Sequence, residues 1–116
     1  MATLRLIGAK DLHERIERGE RTTIIDVREP EEYRALHAAG ALLLPLAEVN
    51  TETVTACLAA SQHSSADSLC FICHSGRRAT EACEHVLNDF PTAIVIEGGT
   101  LAWAQAALPV HSGDEP

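Results

Sequence analysis

Apolar positions along this chain change their period several times, and each change marks an element. Ala9, Leu12 and Ile16 recur at helical spacing between Ala9 and Arg18, and Gly19 stands where a helix C-cap is expected. Thr22 to Val27 (TTIIDV) is a short β-branched run, the pattern of a strand buried on both faces. A brief helix is predicted next, with Pro30 near its first turn and acidic residues where the helix dipole favours them. Leu4 to Ile7 is a candidate edge strand, and Ala41 to Leu44 is another strand, stopped by Pro45. Residues 51 to 60 read as a helix with Val54, Cys57 and Leu58 facing inward, and Ser68 to Cys73 as a strand. Ala79, Ala82, Cys83, Val86, Leu87 and Phe90 then fall at i, i+3, i+4, i+7, i+8 and i+11, the clearest amphipathic helix in the chain. Thr92 to Ile96 is the last strand, and Gly98-Gly99 leads into a helix around Leu101 to Ala106.

Short apolar strands that alternate with helices imply an α/β fold: a mainly parallel sheet of about five strands with helices on both faces. Ligand sites in such sheets lie beyond the carboxyl ends of the strands, and Cys73 falls at one of those ends. The 116 residues show no internal repeat and no dividing linker. A single domain is expected over residues 1–111, with 112–116 as a polar tail or the start of a linker.

Composition narrows the picture further. Hydrophobic residues make up 46% and aromatic ones only 3%, so the core must be built from aliphatic side chains. A net charge of -8 argues against a nucleic-acid or anionic-membrane surface. The first ten residues hold no sustained apolar run. Ala38 to Ala47 is too short to span a bilayer and is broken by Gly40 and Pro45. A soluble, cytoplasmic chain with no membrane span is expected, its four cysteines (Cys57, Cys70, Cys73 and Cys83) held as free thiols.

The candidate chemistry lies in Leu69 to Thr80, LCFICHSGRRAT. A strand that runs directly into a helix curls its connecting backbone, so that loop amides and the helix N-terminus together carry partial positive charge. Cys73, at the first position of that loop, faces this field, which favours a thiolate. Arg77 and Arg78 add two cations, and no acid occurs between Ser68 and Thr80. Gly76 suits a backbone that approaches a ligand or takes positive φ. Ser75 can donate a hydroxyl hydrogen bond to an anion or to Cys73, and His74 is either a substrate-orienting group or a solvent-facing one.

Cys70 and Cys73 form C-x-x-C, but residues three apart in a strand point to opposite faces, so these sulfurs diverge. No second pair completes a zinc site, and His13, His37, His63, His85 and His111 show no ligand spacing. No metal or other cofactor is implied. Cys57, Cys70 and Cys83 read as small core residues.

Four separated stretches together resemble the rhodanese (sulfurtransferase) superfamily across nearly the whole chain. They are DVREPEEY (Asp26 to Tyr33), the segment from His37 through Gly40-Ala41 to Pro45, Cys73-His-Ser-Gly-Arg-Arg78, and EGGTLAW (Glu97 to Trp103) followed by LPV. Leu36, Ala38 and Ala39 depart from the family's usual residues around the histidine. The resemblance implies a three-layer rhodanese-like fold and a double displacement. Cys73 would take sulfane sulfur from a small sulfur-containing anion such as thiosulfate, then pass it to cyanide or to a low-molecular-weight or protein thiol. Arg77 and Arg78 would grip the donor, and the loop amides would hold the persulfide's charge. Related phosphatases and arsenate reductases carry C-x5-R, whereas here Arg78 gives C-x4-R, the length of the sulfurtransferase branch. Asp26 and Arg28 are expected to pair with backbone or neighbouring charges and support the loop from beneath, Gly98 and Gly99 to form a tight turn near it, and Trp103 to be a packed anchor. A sulfur-relay or docking module of a larger system is the alternative role. The residues do not choose between thiosulfate, a glutathione persulfide, a polysulfide and a cysteine desulfurase as donor.

Overall fold

A computed structural model describes residues 3–60 and 68–116. Five parallel strands form the sheet: β1 (Leu6–Gly8), β2 (Thr22–Asp26), β4 (Leu42–Leu43), β5 (Ser68–Ile72) and β6 (Ile94–Glu97). Their order across the sheet is β1-β6-β5-β2-β4, so β5 is the middle strand. The helices are α1 (Ala9–Glu17), α2 (Pro30–Ala35), α3 (Thr51–Ala60), α4 (Arg77–Val86) and α5 (Gly99–Gln105), with a 3-10 turn over Leu46–Glu48. None of them is long and apolar enough to cross a membrane.

The alternation of side chains along β5 explains why the sheet needs cover on both sides. Leu69, Phe71 and Cys73 point to one face, where they pack with Val54 and Leu58 of α3 and Ala79, Ala82, Cys83 and Val86 of α4. Cys70 and Ile72 point to the other, joining Leu12 of α1, Tyr33 of α2 and Trp103 of α5. These two aliphatic layers are the core, and Phe71, fully buried in the middle strand, contributes about 2–3 kcal/mol. The strands and the three layers agree with the expectation from the sequence.

Differences lie at the edges of elements. The fourth helix starts at Arg77, not Ala79, because Gly76 takes a left-handed N-cap conformation and the helix begins immediately after it. Residues 87–89 leave that helix as a turn, and β6 starts at Ile94, not Thr92, because Ala93 still closes a turn onto Phe90. An antiparallel ribbon pairs β3 (His37–Ala38) with β7 (Val110–His111), two elements too short to leave a periodic signal. Residues 112–116 turn back along this ribbon: the Gly113 amide donates to the Arg34 carbonyl at 2.7 Å, and the Glu115 carbonyl lies 2.7 Å from His37 Nε2.

Candidate active site

Cys73 follows the last residue of the middle strand, so it sits at the carboxyl pole of the sheet between the ends of β2 and β6. A four-residue loop, Cys73 to Gly76, leads from there into α4. At φ 119° Gly76 turns the chain sharply, and its amide donates to Cys73 Sγ at 3.0 Å. Thr80 locks that corner, its amide and its hydroxyl both donating to the Gly76 carbonyl. The sulfur therefore rests against a backbone donor at the head of a ten-residue helix. Cys73 is 1% exposed, whereas His74, Ser75 and Arg77 lie open to solvent.

The N-terminus of α5 holds the outer side of the loop. Unpaired amides of a first helical turn need acceptors, and here the loop supplies them. Thr100 donates to the Cys73 carbonyl at 2.7 Å and Leu101 to the His74 carbonyl at 3.1 Å. Gly99 makes this approach possible, since a Cβ there would come within 2.3 Å of the Cys73 carbonyl oxygen. Gly99 thus packs closely on the loop, while Gly98, at φ 76°, makes the turn into α5.

The two arginines have different surroundings. Arg77 is exposed and makes no ion pair among the described residues. Arg78 is half-buried and bidentate to Glu32 of α2, at 2.7 and 3.0 Å. Sequence reasoning missed Glu32, because nothing local marks a carboxylate whose partner stands 46 residues away. Arg78's hydrogen bonds hold the Glu32 carboxyl down at about 2, from an ordinary value of 4.5.

A depressed carboxyl stabilises the fold at pH values above its unfolded range and loses that contribution as pH falls toward the folded value. Both side chains are about one-third exposed, so solvent screening limits the pair to about 1 kcal/mol. Glu32→Gln is therefore expected to lower the unfolding free energy by up to about 1 kcal/mol at pH 7. In parallel urea titrations the gap to wild type should close between pH 4.5 and about 2. A pH-independent gap would assign the loss to packing instead.

Asp26 and Arg28 are buried and pair with each other through three side-chain contacts of 2.8 to 3.2 Å. Arg28 also donates to the Leu36 carbonyl at 2.6 Å, fastening the end of α2 to the end of β2. None of these bonds reaches Cys73 to Arg78. Helix α2, which they fasten, presents Glu32 to Arg78.

Burial pushes the Cys70 thiol up to about 12 and Cys83 to about 11, and it raises Cys57 as well. All four cysteines are free thiols, and Cys70 and Cys73 belong to opposite faces of the sheet. His37 is buried and stacked on Tyr33 at 3.7 Å, with its two ring nitrogens against the Tyr33 and Glu115 carbonyls. Trp103 is buried and donates to the Pro109 carbonyl at 2.7 Å, with His13 meeting its ring edge-on. Among the described residues no group of three or more His, Cys, Asp or Glu side chains is arranged to hold a metal. His63 lies outside the described residues.

Comparison with known proteins bears on this geometry. The family model for the rhodanese-like domain matches residues 8–106. A probable adenylyltransferase/sulfurtransferase, MoeZ of Mycobacterium tuberculosis, is 30% identical over 104 residues, covering 89% of this chain and 25% of the relative. A putative sulfur carrier protein, YrkF of Bacillus subtilis, is 31% identical over 98 residues, 84% of this chain and 49% of the relative. The chain thus spans a quarter to about a half of the length of these relatives. Among solved structures, a rhodanese-related protein from Thermoplasma volcanium superposes with a TM-score of 0.72 at 28% identity, covering 92% of this chain and 97% of that one. A thiosulfate sulfurtransferase from Pseudomonas aeruginosa shares the fold, with a TM-score of 0.80 at 18% identity over 97% of this chain and 21% of that one.

Proposed function

As this chain belongs to the rhodanese-like domain family, we propose that it moves sulfane sulfur from an anionic donor of the thiosulfate type to a thiophilic acceptor through a persulfide on Cys73. The observation that carries this reading is the Gly76 amide donating to Cys73 Sγ at 3.0 Å, at the head of α4. That arrangement supports a sulfur anion both before and after it gains a second sulfur. The Cys73 thiolate attacks the outer sulfur of thiosulfate, whose sulfur–sulfur bond breaks, and sulfite leaves with the electron pair. Cyanide or a thiolate then attacks the outer sulfur of the persulfide and carries it away, which restores the Cys73 thiolate. Two half-reactions on one nucleophile give ping-pong kinetics.

Because Cys73 is enclosed, it is reached by the terminal atom of a slender donor. Arg77, exposed and free of an ion pair among the described residues, is the cation available to the donor's sulfonate, whereas Arg78 is held by Glu32. Charge reversal, Arg77→Glu, is expected to raise the apparent KM for thiosulfate about tenfold or more with a smaller change in kcat. An unchanged KM would mean that the sulfonate is gripped elsewhere. A reducing compartment such as the cytoplasm suits a chemistry that starts from a free thiol.

The direct test is intact mass after incubation with thiosulfate. A gain of about 32 Da that maps to Cys73 and disappears with cyanide supports the cycle, as expected of covalent catalysis. The relative named a putative sulfur carrier favours a second reading, in which the domain accepts sulfur from a partner protein and relays it. No adduct from thiosulfate, but one from a persulfide-bearing thiol or protein, would select that reading.

A further inference from the structure

The sheet has two poles, and Cys73 occupies one of them. At the other, beneath α1, the layer that contains Cys70 opens into a cavity of about 300 Å³. Its floor is apolar: Ile7, Leu12, Ile94 and the Cys70 thiol, all members of one buried cluster. Three hydroxyl residues stand at its edge. Thr22 and Ser68 are register partners at the first positions of β2 and β5, and Thr92 precedes β6.

Its charged lining runs against the composition of the chain. Acids outnumber bases 17 to 9 overall, yet the charged groups that line the cavity among the described residues are two guanidiniums, Arg5 and Arg15. Arg5 is oriented by a bond from Nη2 to the Thr92 carbonyl at 2.8 Å, which uses one of its five N–H donors. Among the described residues Arg15 pairs with Glu20 at 3.9 Å, in an exposed pair of small worth. An apolar floor with a few convergent polar groups in about 300 Å³ is the make-up of a small-ligand pocket.

We propose that this cavity is a second ligand site, separate from Cys73, for a small organic monoanion. Its carboxylate or sulfonate head meets Arg5, Arg15 and the three hydroxyls. Its apolar body, of up to about ten heavy atoms for a pocket of this size, lies on Ile7, Leu12 and Ile94. Charge-assisted bonds from the guanidiniums select the anion, and burial of the aliphatic body adds affinity without a directional requirement.

The test is an amide NMR titration of the whole chain with hexanoate, with hexan-1-ol and hexylamine as matched uncharged and cationic probes. Hexanoate is expected to give saturable shifts at Thr22, Ser68 and Ile94 and none from His74 to Arg78. Hexan-1-ol should bind at least about tenfold more weakly and hexylamine not at all, since each lacks the charged acceptor. Arg5→Gln and Arg15→Gln should each weaken hexanoate binding about tenfold while leaving the Cys73 loop signals in place. Shifts centred on the Cys73 loop, equal binding of hexanoate and hexan-1-ol, or unchanged affinity in both variants would each overturn the proposal. So would the lack of saturable change at about 50 mM, too weak an affinity for a formed pocket.

Discussion

Cys73→Ser is expected to lower the rate of sulfur transfer by at least about a thousandfold, because a hydroxyl can neither attack sulfane sulfur at neutral pH nor carry a persulfide. The substitution changes one atom of similar size, and a serine hydroxyl can still accept from the Gly76 amide that now meets the sulfur at 3.0 Å. The fold should therefore survive, and the thermal transition should move by a few degrees at most. Cys70→Ala is the matched control. Cys70 lies three residues earlier, within β5, faces the opposite layer, and is a thiol that burial pushes up to about 12. Removing it should cost about 1 kcal/mol of stability through the small cavity left behind, with most of the transfer activity retained. Steady-state thiocyanate formation from thiosulfate and cyanide reads both variants. Equal loss in the two, or activity retained in Cys73→Ser, would remove Cys73 from the nucleophile's place.

That control works because the facing of the two cysteines could be read from the sequence. In a strand with a period of two, Cys70 and Cys73 must diverge, and the structure puts them in separate core clusters. The strands and helices of the sheet were legible for a similar reason, as aliphatic side chains at a fixed period leave a signal wherever an element is buried on one or both faces. Signals failed where an element is polar or too short. Arg77 and Arg78 read as loop because the first turn of a helix at an exposed pole needs no apolar residue, and only the left-handed Gly76 marks its start. The ribbon of β3 and β7 has two residues in each strand, less than one period of alternation.

The site was legible as a cluster of types and illegible as a network. Cys73, Gly76 and the arginines announce themselves within six positions. The division of labour between Arg77 and Arg78 depends on Glu32, which long-range packing of α2 against α4 brings into reach. Asp26 and Arg28 likewise matched a motif, but the bond from Arg28 to the Leu36 carbonyl, which ties their pair to the end of α2, could be seen only in the structure.

Gly99→Ala is the second substitution expected to have a large effect, and it probes how the loop is held. Gly99 has φ 61°, a region that costs an alanine about 1 kcal/mol. Its added methyl would also stand 2.3 Å from the Cys73 carbonyl oxygen and 2.5 Å from that of His74, both backbone atoms that cannot rotate away. Helix α5 must then retreat, and the bonds from Thr100 to Cys73 and from Leu101 to His74 lengthen or break. Each polar pair so separated costs about 1–3 kcal/mol where it is buried. The sum, about 3–7 kcal/mol, is a large part of the stability of an ordinary domain and corresponds to a fall of at least about 10 °C in Tm. Gly19→Ala isolates the conformational share, since Gly19 has φ 91° with open space around its would-be Cβ. It should lose about 1 kcal/mol and keep full transfer activity. Gly99→Ala, assayed well below its own transition, should still transfer sulfur poorly, because the Cys73 and Gly76 backbone is positioned by the contact that the methyl removes. If the two variants melt alike and transfer sulfur alike, the close approach of α5 does not hold the loop. If Gly99→Ala alone loses both stability and activity, the loop owes its shape to α5 as well as to α4.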